Sequence, residues 1–309
     1  MSEWVADAAG GADRLRRRAP GRWPSKRGEG ALLLAPLVLF LILLLGFPFL
    51  ANLYYSLSKV TFATIRAPQW LGLGNYAAAL ADPAFWQAMG FSLRFALIAA
   101  GAEVLLGLLL ALALEPLIAR RRFLLAVLLL PMMISPALMG VMYRLNLNEF
   151  VGLIPQYLAF LRLYPNLLGP GWVMTTVVTI EILQWTPFAF LIMLTALQAI
   201  PGELLEAARI DGGSWWQRHR YVLLPLLVPA LVVTGFIRFI DSFRVFDHIY
   251  VLTGGGPGTL TTSVSIHIYK SFFQQELLGQ AGAASMILLV LSMGLLWLAM
   301  RFVLRGARA

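Results

Sequence analysis

The side chains with the clearest potential for chemistry are polar or charged residues inside or at the ends of long apolar segments. In chain order, they are Glu181, Gln184, Trp185, Arg238, Asp241 and Asp247. The first three follow one another at helical spacing, so a carboxylate, an amide and an aromatic ring would lie on adjacent faces of one helix. Such a set could hold a sugar through hydrogen bonds to its hydroxyl groups and stacking on its ring. Helix packing alone is the other explanation of the same residues.

Charged side chains inside a membrane are costly, at about 2.5–3.5 kcal/mol each near a helix centre, so they usually face a cavity or a partner. Arg238 and Asp241 are three residues apart near the end of their segment. A local ion pair and snorkelling towards water would reduce their cost. Glu103 lies near the middle of another segment, and we expect it to be protonated or to pair with a basic side chain of a partner subunit.

The elements that must position these residues are long apolar segments typical of a polytopic membrane protein. Of the 309 residues, 60% are hydrophobic and 13% are charged, and the mean hydropathy is +0.78. A helix of about 20 apolar residues spans the hydrocarbon core. Six segments meet this requirement, near residues 31–56, 90–114, 123–143, 172–197, 222–240 and 281–304. The sequence therefore predicts an all-α membrane protein with six transmembrane helices.

The basic residues predict the orientation of these helices. Most of the 24 Lys and Arg residues lie before the first segment, between the second and third, between the fourth and fifth, or after the last. Cytoplasmic connections are enriched in Lys and Arg. We therefore expect both termini in the cytoplasm, with residues 1–30 as a basic tail and residues 31–305 as the transmembrane domain. A signal peptide is the alternative for the N-terminus, but the apolar run continues past Leu50 without a clear cleavage motif.

Several activities lack the residues that they require. No Gly-Lys pair occurs, so a phosphate-binding loop is absent, and neither His-Glu-x-x-His nor Gly-x-Ser-x-Gly is found. The chain has no cysteine, and its three histidines fall on two sides of the predicted topology. The basic residues form short clusters beside apolar segments rather than a stripe suited to nucleic acid. We expect no catalytic site, no metal, no cofactor and no nucleic-acid partner on this chain.

A polar connection at residues 201–221 separates the fourth and fifth apolar segments. Proline can begin a helix at its start, an Asp-Gly-Gly turn can follow, and a serine can cap a second short helix. The residues that mark this loop are Glu206, Ala207, Ala208, Asp211, Gly212 and, at the start of the next segment, Pro225. A short interfacial helix that only caps the bundle would have the same composition.

A second motif follows the fifth apolar segment, at residues 246–257, FDHIYVLTGGGP. Its glycine-rich end comprises Gly254, Gly255, Gly256 and Pro257. A tight turn is the simplest interpretation, and close backbone approach near a pathway or a docked protein is the functional one. Nucleotide binding is not expected, because the motif lacks a lysine and lies on the outer side of the predicted topology.

Together, the two motifs and the six-segment layout resemble the permeases of carbohydrate-type ABC importers, in particular the first permease of the maltose and glycerol-phosphate systems. The Glu-Ala-Ala start, Asp-Gly turn and Leu-Pro end of residues 206–229 are similar to that family's coupling loop. Residues 246–257 resemble its FD-x-IY-x-LT-x-GGP segment, and the likeness covers almost all of residues 30–305. The resemblance implies a type I ABC importer permease fold in a bacterial cytoplasmic (inner) membrane.

The same resemblance implies a non-catalytic subunit that forms half of the pathway for a sugar, polyol or sugar derivative. Its implied partners are a second homologous permease, a dimer of ATP-binding subunits that hold ATP and Mg, an extracytoplasmic solute-binding protein and membrane lipid. The alternatives are an ABC permease for a non-carbohydrate solute and a proton-coupled secondary transporter that uses Glu181 or Glu103. The sequence contains no convincing internal repeat of the kind common in secondary transporters.

Overall fold

The structure, a computed structural model, describes residues 27–121, 123–163 and 166–306. This part of the chain divides after Asn52 into two compact units. The first unit consists of helix α1 (Arg27–Leu41), a π-helical turn (Ile42–Gly46) and the first part of helix α2 (Phe47–Ser56). Nearly all of the basic tail predicted at residues 1–30 lies outside the described residues.

The second unit contains the remaining elements, and most of them are helices. In chain order they are β1 (Ser58–Lys59), β2 (Gln69–Trp70), α3 (Gly74–Ala81), α4 (Pro83–Arg120), α5 (Phe123–Leu129), α6 (Pro136–Asn146), α7 (Leu153–Phe160), α8 (Val173–Gln198), α9 (Gly202–Ile210), α10 (Trp215–Arg218), α11 (Leu224–Phe243), α12 (Asp247–Thr253), α13 (Val264–Phe273) and α14 (Leu278–Gly306). A π-helical turn at His219–Leu223 joins α10 to α11. The strands β1 and β2 pair antiparallel over two residues each, and the described chain is otherwise mostly helical, as the sequence predicted.

Five helical segments of the described chain are long and apolar enough to cross a membrane. They are Leu34–Ser56, Pro83–Ile118, Val173–Gln198, Trp215–Thr253 and Leu278–Leu298, and each overlaps one of the six predicted segments. The segment predicted at residues 123–143 is a bent pair instead, because Phe123–Met133 and Pro136–Asn146 meet with a bend of 83°. Pro131 and Pro136 flank the extended residues Ile134 and Ser135, and proline cannot donate the hydrogen bond that would continue the helix.

Helices α4, α8 and α11 pack on one another at the centre of the second unit. Gly107 lets α4 approach α8 closely, since a Cβ at this position would lie 2.7 Å from the Phe190 backbone nitrogen. Small residues permit such approaches between helices in membranes. The contact continues through a buried apolar cluster that includes Ala111, Phe190 and Met193. These three helices also carry the charged residues of the candidate site.

Candidate functional site

Arg238 on α11 is buried, with 1% of its surface exposed, and it bridges the three central helices. Its Nε donates to Glu103 Oε2 on α4 at 2.5 Å, and its Nη2 donates to Glu181 Oε1 on α8 at 2.9 Å. Ser242, one turn further along α11, donates to the same Glu181 oxygen at 3.1 Å. A guanidinium removed from water needs such partners to offset its desolvation. One ion-pair network therefore joins α4, α8 and α11.

This network corrects two expectations from the sequence. Arg238 is buried and does not snorkel to water. Its expected local ion pair with Asp241 is present, but at 3.6 Å it is the longest of its three carboxylate contacts. Glu103 has its basic partner within the same chain, because Arg238 lies against it. The two residues are 135 positions apart, so periodicity within one helix could not have paired them.

A cavity of about 470 Å³ lies beside the network. It is lined by five of the six residues predicted for the solute pathway, Glu181, Trp185, Arg238, Asp241 and Asp247, and by Pro136, Arg244, Val245, Phe246 and His248. The Arg238 guanidinium lies 4.5 Å from the centre of the Trp185 ring, a cation–π contact. Asp241 and Arg244 form a half-exposed ion pair at 3.2 Å. The cavity thus combines aromatic faces with accessible charges.

The polar groups of the cavity differ in whether they already have hydrogen-bond partners within the protein. Glu181 accepts hydrogen bonds from Arg238 and Ser242 in the buried network. In contrast, the side chains of Asp241 and Arg244 are 46% and 57% exposed, and Asp247 is exposed as well. Carboxylates accept hydrogen bonds and guanidinium groups donate them. The exposed acid and base are therefore the groups most available to a hydroxyl-rich ligand.

Gln184 is the predicted pathway residue that the structure places elsewhere. Its Nε2 donates to the Ile134 carbonyl oxygen at 2.9 Å, at the break between α5 and α6. Helix breaks in a membrane require such side-chain partners for the carbonyls that they free. Gln184 Oε1 is buried and has no hydrogen-bond partner among the described residues. Gln184 therefore links the bent pair to α8 and is not among the residues that line the cavity, so its contact with the solute stays a prediction.

Ser242 and His248 belong to the site but were not predicted from the sequence. Ser242 follows Arg238 by four positions, the spacing that places two side chains on one helix face. His248 is buried on α12, and its Nδ1 lies 3.6 Å from Glu181 Oε2. The sequence signal for His248 was its position directly after Asp247, a predicted site residue. Across the described ranges, no three His, Asp or Glu side chains are grouped to hold a metal ion.

The loop at residues 201–221 has the predicted helix-turn-helix conformation. Helix α9 begins after Pro201, and Gly212 takes a left-handed φ of 79° in the turn that follows. The Ser214 hydroxyl accepts from the Gln217 amide at 3.3 Å, while the Gln217 side chain accepts from the Ser214 amide at 2.8 Å. This reciprocal capping box starts α10. Local sequence signals therefore fix the whole loop.

Most of the residues that mark this loop are accessible. Glu206, Ala207, Asp211, Gly212 and Pro225 are exposed, and Ala208 is half-buried. A cavity of about 330 Å³ lies beside the turn, lined by Ala208, Asp211, Gly212, Gly213, Gln217, Arg218, Tyr221 and Val222. The neighbouring Trp215 and Trp216 are 59% and 66% exposed. Large exposed aromatic side chains beside charged ones are typical of protein-binding surfaces.

The glycine-rich segment forms a turn after α12. Gly254 and Gly255 have φ values of 62° and 91°, a region that favours glycine. A Cβ at Gly255 would lie 2.6 Å from Thr262 Oγ1, and the hydroxyl of that threonine donates to the Gly255 carbonyl oxygen at 2.9 Å. Gly256 and Pro257 complete the turn through a cis peptide bond. This geometry agrees with the tight-turn interpretation.

Comparison with known proteins identifies the family of this chain. Residues 103–305 match the family described as "Binding-protein-dependent transport system inner membrane component". The chain belongs to this family. It is therefore a multi-pass membrane protein and a non-catalytic permease subunit of an ABC transporter, in which ATP hydrolysis belongs to a separate chain.

Individual relatives cover most of the chain. The trehalose/maltose transport system permease protein MalF of Thermococcus litoralis is 36% identical over 273 residues, which are 87% of this chain and 92% of the relative. The trehalose transport system permease protein SugA of Mycobacterium tuberculosis is 32% identical over 264 residues, 85% of each chain. A solved bacterial ABC transporter involved in the import of the acidic polysaccharide alginate contains a chain with a TM-score of 0.78 and 22% identity, covering 91% of this chain and 96% of that chain. The fold is that of an ABC importer permease.

Proposed function

We propose that this permease forms half of the translocation pathway for a sugar or sugar-like solute and that a second homologous permease supplies the other half. The observation that carries this proposal is the cavity in which Trp185 and Phe246 lie beside the accessible Asp241, Arg244 and Asp247. Aromatic faces stack on sugar rings, while the charged groups bond to hydroxyls. The relatives named as trehalose/maltose and trehalose permeases support a carbohydrate as the solute.

Transport is driven, in this proposal, by a dimer of ATP-binding subunits that docks on the α9–α10 loop. Gly212 and the Ser214 capping box give this exposed loop a defined shape. The loop continues through the π-helical turn into α11, which carries Arg238. A movement of the loop would therefore reach the buried network and the cavity along one continuous element.

Docking of the ATP-binding subunits on this loop also implies the orientation of the chain in the membrane. The loop and both termini lie on the cytoplasmic side, as the distribution of Lys and Arg supports. An extracytoplasmic solute-binding protein delivers the solute at the opposite end of α11, where α12, α13 and the glycine-rich turn lie. The membrane is the bacterial cytoplasmic membrane, and the bound ATP and Mg belong to the partner ATPase.

Transport by the purified complex tests the role of the cavity. The complex and its binding protein are reconstituted in liposomes and assayed with labelled maltose and trehalose, with an amino acid as a comparison solute. We expect Trp185→Ala and Asp241→Asn to lower sugar uptake by roughly 10-fold or more, since each removes a direct contact. Trp172→Ala is the matched control, because Trp172 is half-exposed and lies outside the cavity.

Three other results would contradict the proposal. Normal sugar uptake by both cavity variants would remove the cavity from the pathway. Uptake of the amino acid in place of sugars would indicate a permease for a non-carbohydrate solute. Uptake that persists without the ATPase and stops when a proton gradient is dissipated would indicate a secondary transporter.

The coupling role of the loop has its own test. Proline has φ fixed near −65°, so Gly212→Pro cannot adopt the observed φ of 79°. Combined with Glu206→Ala, it is expected to leave ATP hydrolysis measurable and to abolish ATP-driven uptake. Gly202→Ala is the control, because within the described part of the chain an added Cβ there meets no atom within 4 Å outside its own helix and chain neighbours. Fully coupled transport by the double variant would refute the role of the loop.

A further inference from the structure

Six aromatic rings form a continuous row that begins at the cavity and ends at the protein surface. They are Phe246, Tyr250, Tyr269, Phe273, Phe272 and Phe62, and we call them the aromatic row. Phe246 lines the cavity and lies 5.2 Å from Tyr269, measured between ring centres. Tyr269 lies 4.9 Å from Phe273. At the far end, Phe273 is 58% exposed and Phe62 is 42% exposed.

The spacing of these residues in the sequence creates the row. Phe246 and Tyr250 are four positions apart at the start of α12, and Tyr269 and Phe273 are four positions apart on α13. Residues at this spacing share one helix face. The two helices set these faces against each other, so that Tyr250 and Tyr269 meet at 4.9 Å with their rings inclined at 61°.

The row differs from an ordinary apolar core in two ways. First, all of its rings remain partly or largely exposed, whereas the neighbouring Ile249 and Ile266 are fully buried. Second, polar side chains lie at one end of it, where the exposed Arg244 and Asp247 line the cavity together with Phe246. Accessible aromatic faces bordered by hydrogen-bonding groups have the chemistry of a carbohydrate-binding surface.

We propose that the aromatic row is a second sugar-binding subsite, which holds pyranose rings as they pass between the outer face and the cavity. This inference rests on the proposed function in sugar import and adds a substrate class, a saccharide of at least two rings. One ring of such a saccharide stacks at Phe246 and Trp185 in the cavity while the next stacks on Tyr250 and Tyr269. A monosaccharide occupies only one of these positions at a time and depends less on the row.

Substitutions of Tyr269 separate stacking from packing. Tyr269→Leu retains an apolar side chain for packing but removes the aromatic face, and Tyr269→Phe retains the face. The reconstituted complex with its binding protein is assayed with labelled glucose, maltose and maltotriose. For Tyr269→Leu, we expect KM to rise about 3- to 10-fold for maltose and maltotriose, the range that one aromatic contact supplies, and less than about 2-fold for glucose. Tyr269→Phe is expected to restore the wild-type KM values.

Four outcomes would overturn the inference. Wild-type KM values for every sugar in Tyr269→Leu would show that the row does not contact the solute. An equal loss for all three sugars, with a higher concentration of binding protein needed for half-maximal uptake, would make the row a protein-docking surface. Wild-type transport of glucose alone would exclude a two-ring substrate. Absence of uptake of any saccharide by the wild-type complex would reject the proposed function together with this inference.

Discussion

Substitution of Arg238 by methionine provides a sharp test of the buried network. Arg238 is joined to Glu103 at 2.5 Å and to Glu181 at 2.9 Å, and its side chain is 1% exposed. Removal of one partner from a buried ion pair costs about 3–5 kcal/mol, because the remaining charge is left without compensation. In Arg238→Met, two carboxylates lose their common partner and Trp185 loses its cation–π contact. We therefore expect a loss at the upper end of this range.

The matched control is Arg244→Met on the same segment of chain. Arg244 also pairs with a carboxylate, but its side chain is 57% exposed and that of its partner Asp241 is 46% exposed. Exposed pairs contribute only about 0–1 kcal/mol. A third variant combines Arg238→Met with Glu103→Gln and Glu181→Gln, which removes all three charges and is expected to recover much of the loss.

The assay is thermal unfolding of the purified complex in detergent, followed by tryptophan fluorescence. A loss of this size corresponds to a fall in Tm of roughly 10 °C for Arg238→Met, against a small change for Arg244→Met. Equal shifts in the two variants would refute the conclusion that the network holds α4, α8 and α11 together. Failure of the triple variant to regain stability would show that packing of the side chains, rather than compensation of charge, is what Arg238 provides.

Three further predictions concern backbone geometry and pH. Gly107→Ala is expected to destabilise the protein by about 1–3 kcal/mol, because its Cβ would lie 2.7 Å from the backbone of α8. In Gly101→Ala, on the same helix, the added Cβ meets no atom of other described elements within 4 Å, and the change is expected to stabilise the protein by about 0.5–1 kcal/mol. Thermal unfolding measures both effects. Gly254→Ala is expected to cost about 1–2 kcal/mol for its φ of 62°, and Gly255→Ala more, since it adds a contact of 2.6 Å with Thr262; equal losses would contradict the observed turn. Burial lowers the pKa of His267, on α13, below its usual value, so the unfolded chain binds more protons than the folded one and stability is expected to fall as the pH drops below about 6.5. His267→Gln should reduce this dependence of stability on pH in unfolding measured between about pH 5 and 8, a range around the ordinary histidine pKa. An unchanged pH dependence would assign the effect to other groups.

The α9–α10 loop could be predicted from the sequence because its determinants are local. Proline before α9, glycine in the turn and the Ser214 capping box all act within a few residues of their positions. The turn at Gly254 and Gly255 could be predicted for the same reason. Patterns of this kind report backbone conformation directly, without knowledge of which helices pack together.

The ion-pair network could not be predicted, because it joins residues 57 and 135 positions apart. Helical spacing also did not reveal the place of Gln184, whose side-chain amide is bonded to the Ile134 carbonyl oxygen, 50 positions away, at the break between α5 and α6. The prolines at the bend between α5 and α6 are evident in the sequence. Because membrane helices often tolerate proline, the sequence did not decide between a straight span and a broken one.

Site-directed cross-linking of the α9–α10 loop tests the central claim most directly. The chain has no cysteine, so Ala207→Cys introduces a single reactive thiol at an exposed position of the loop. In membrane vesicles, the account predicts labelling from the cytoplasmic side only and a cross-link to an ATP-hydrolysing subunit whose yield changes when ATP binds. Labelling from the external side, or no cross-link to any ATP-hydrolysing subunit, would contradict it.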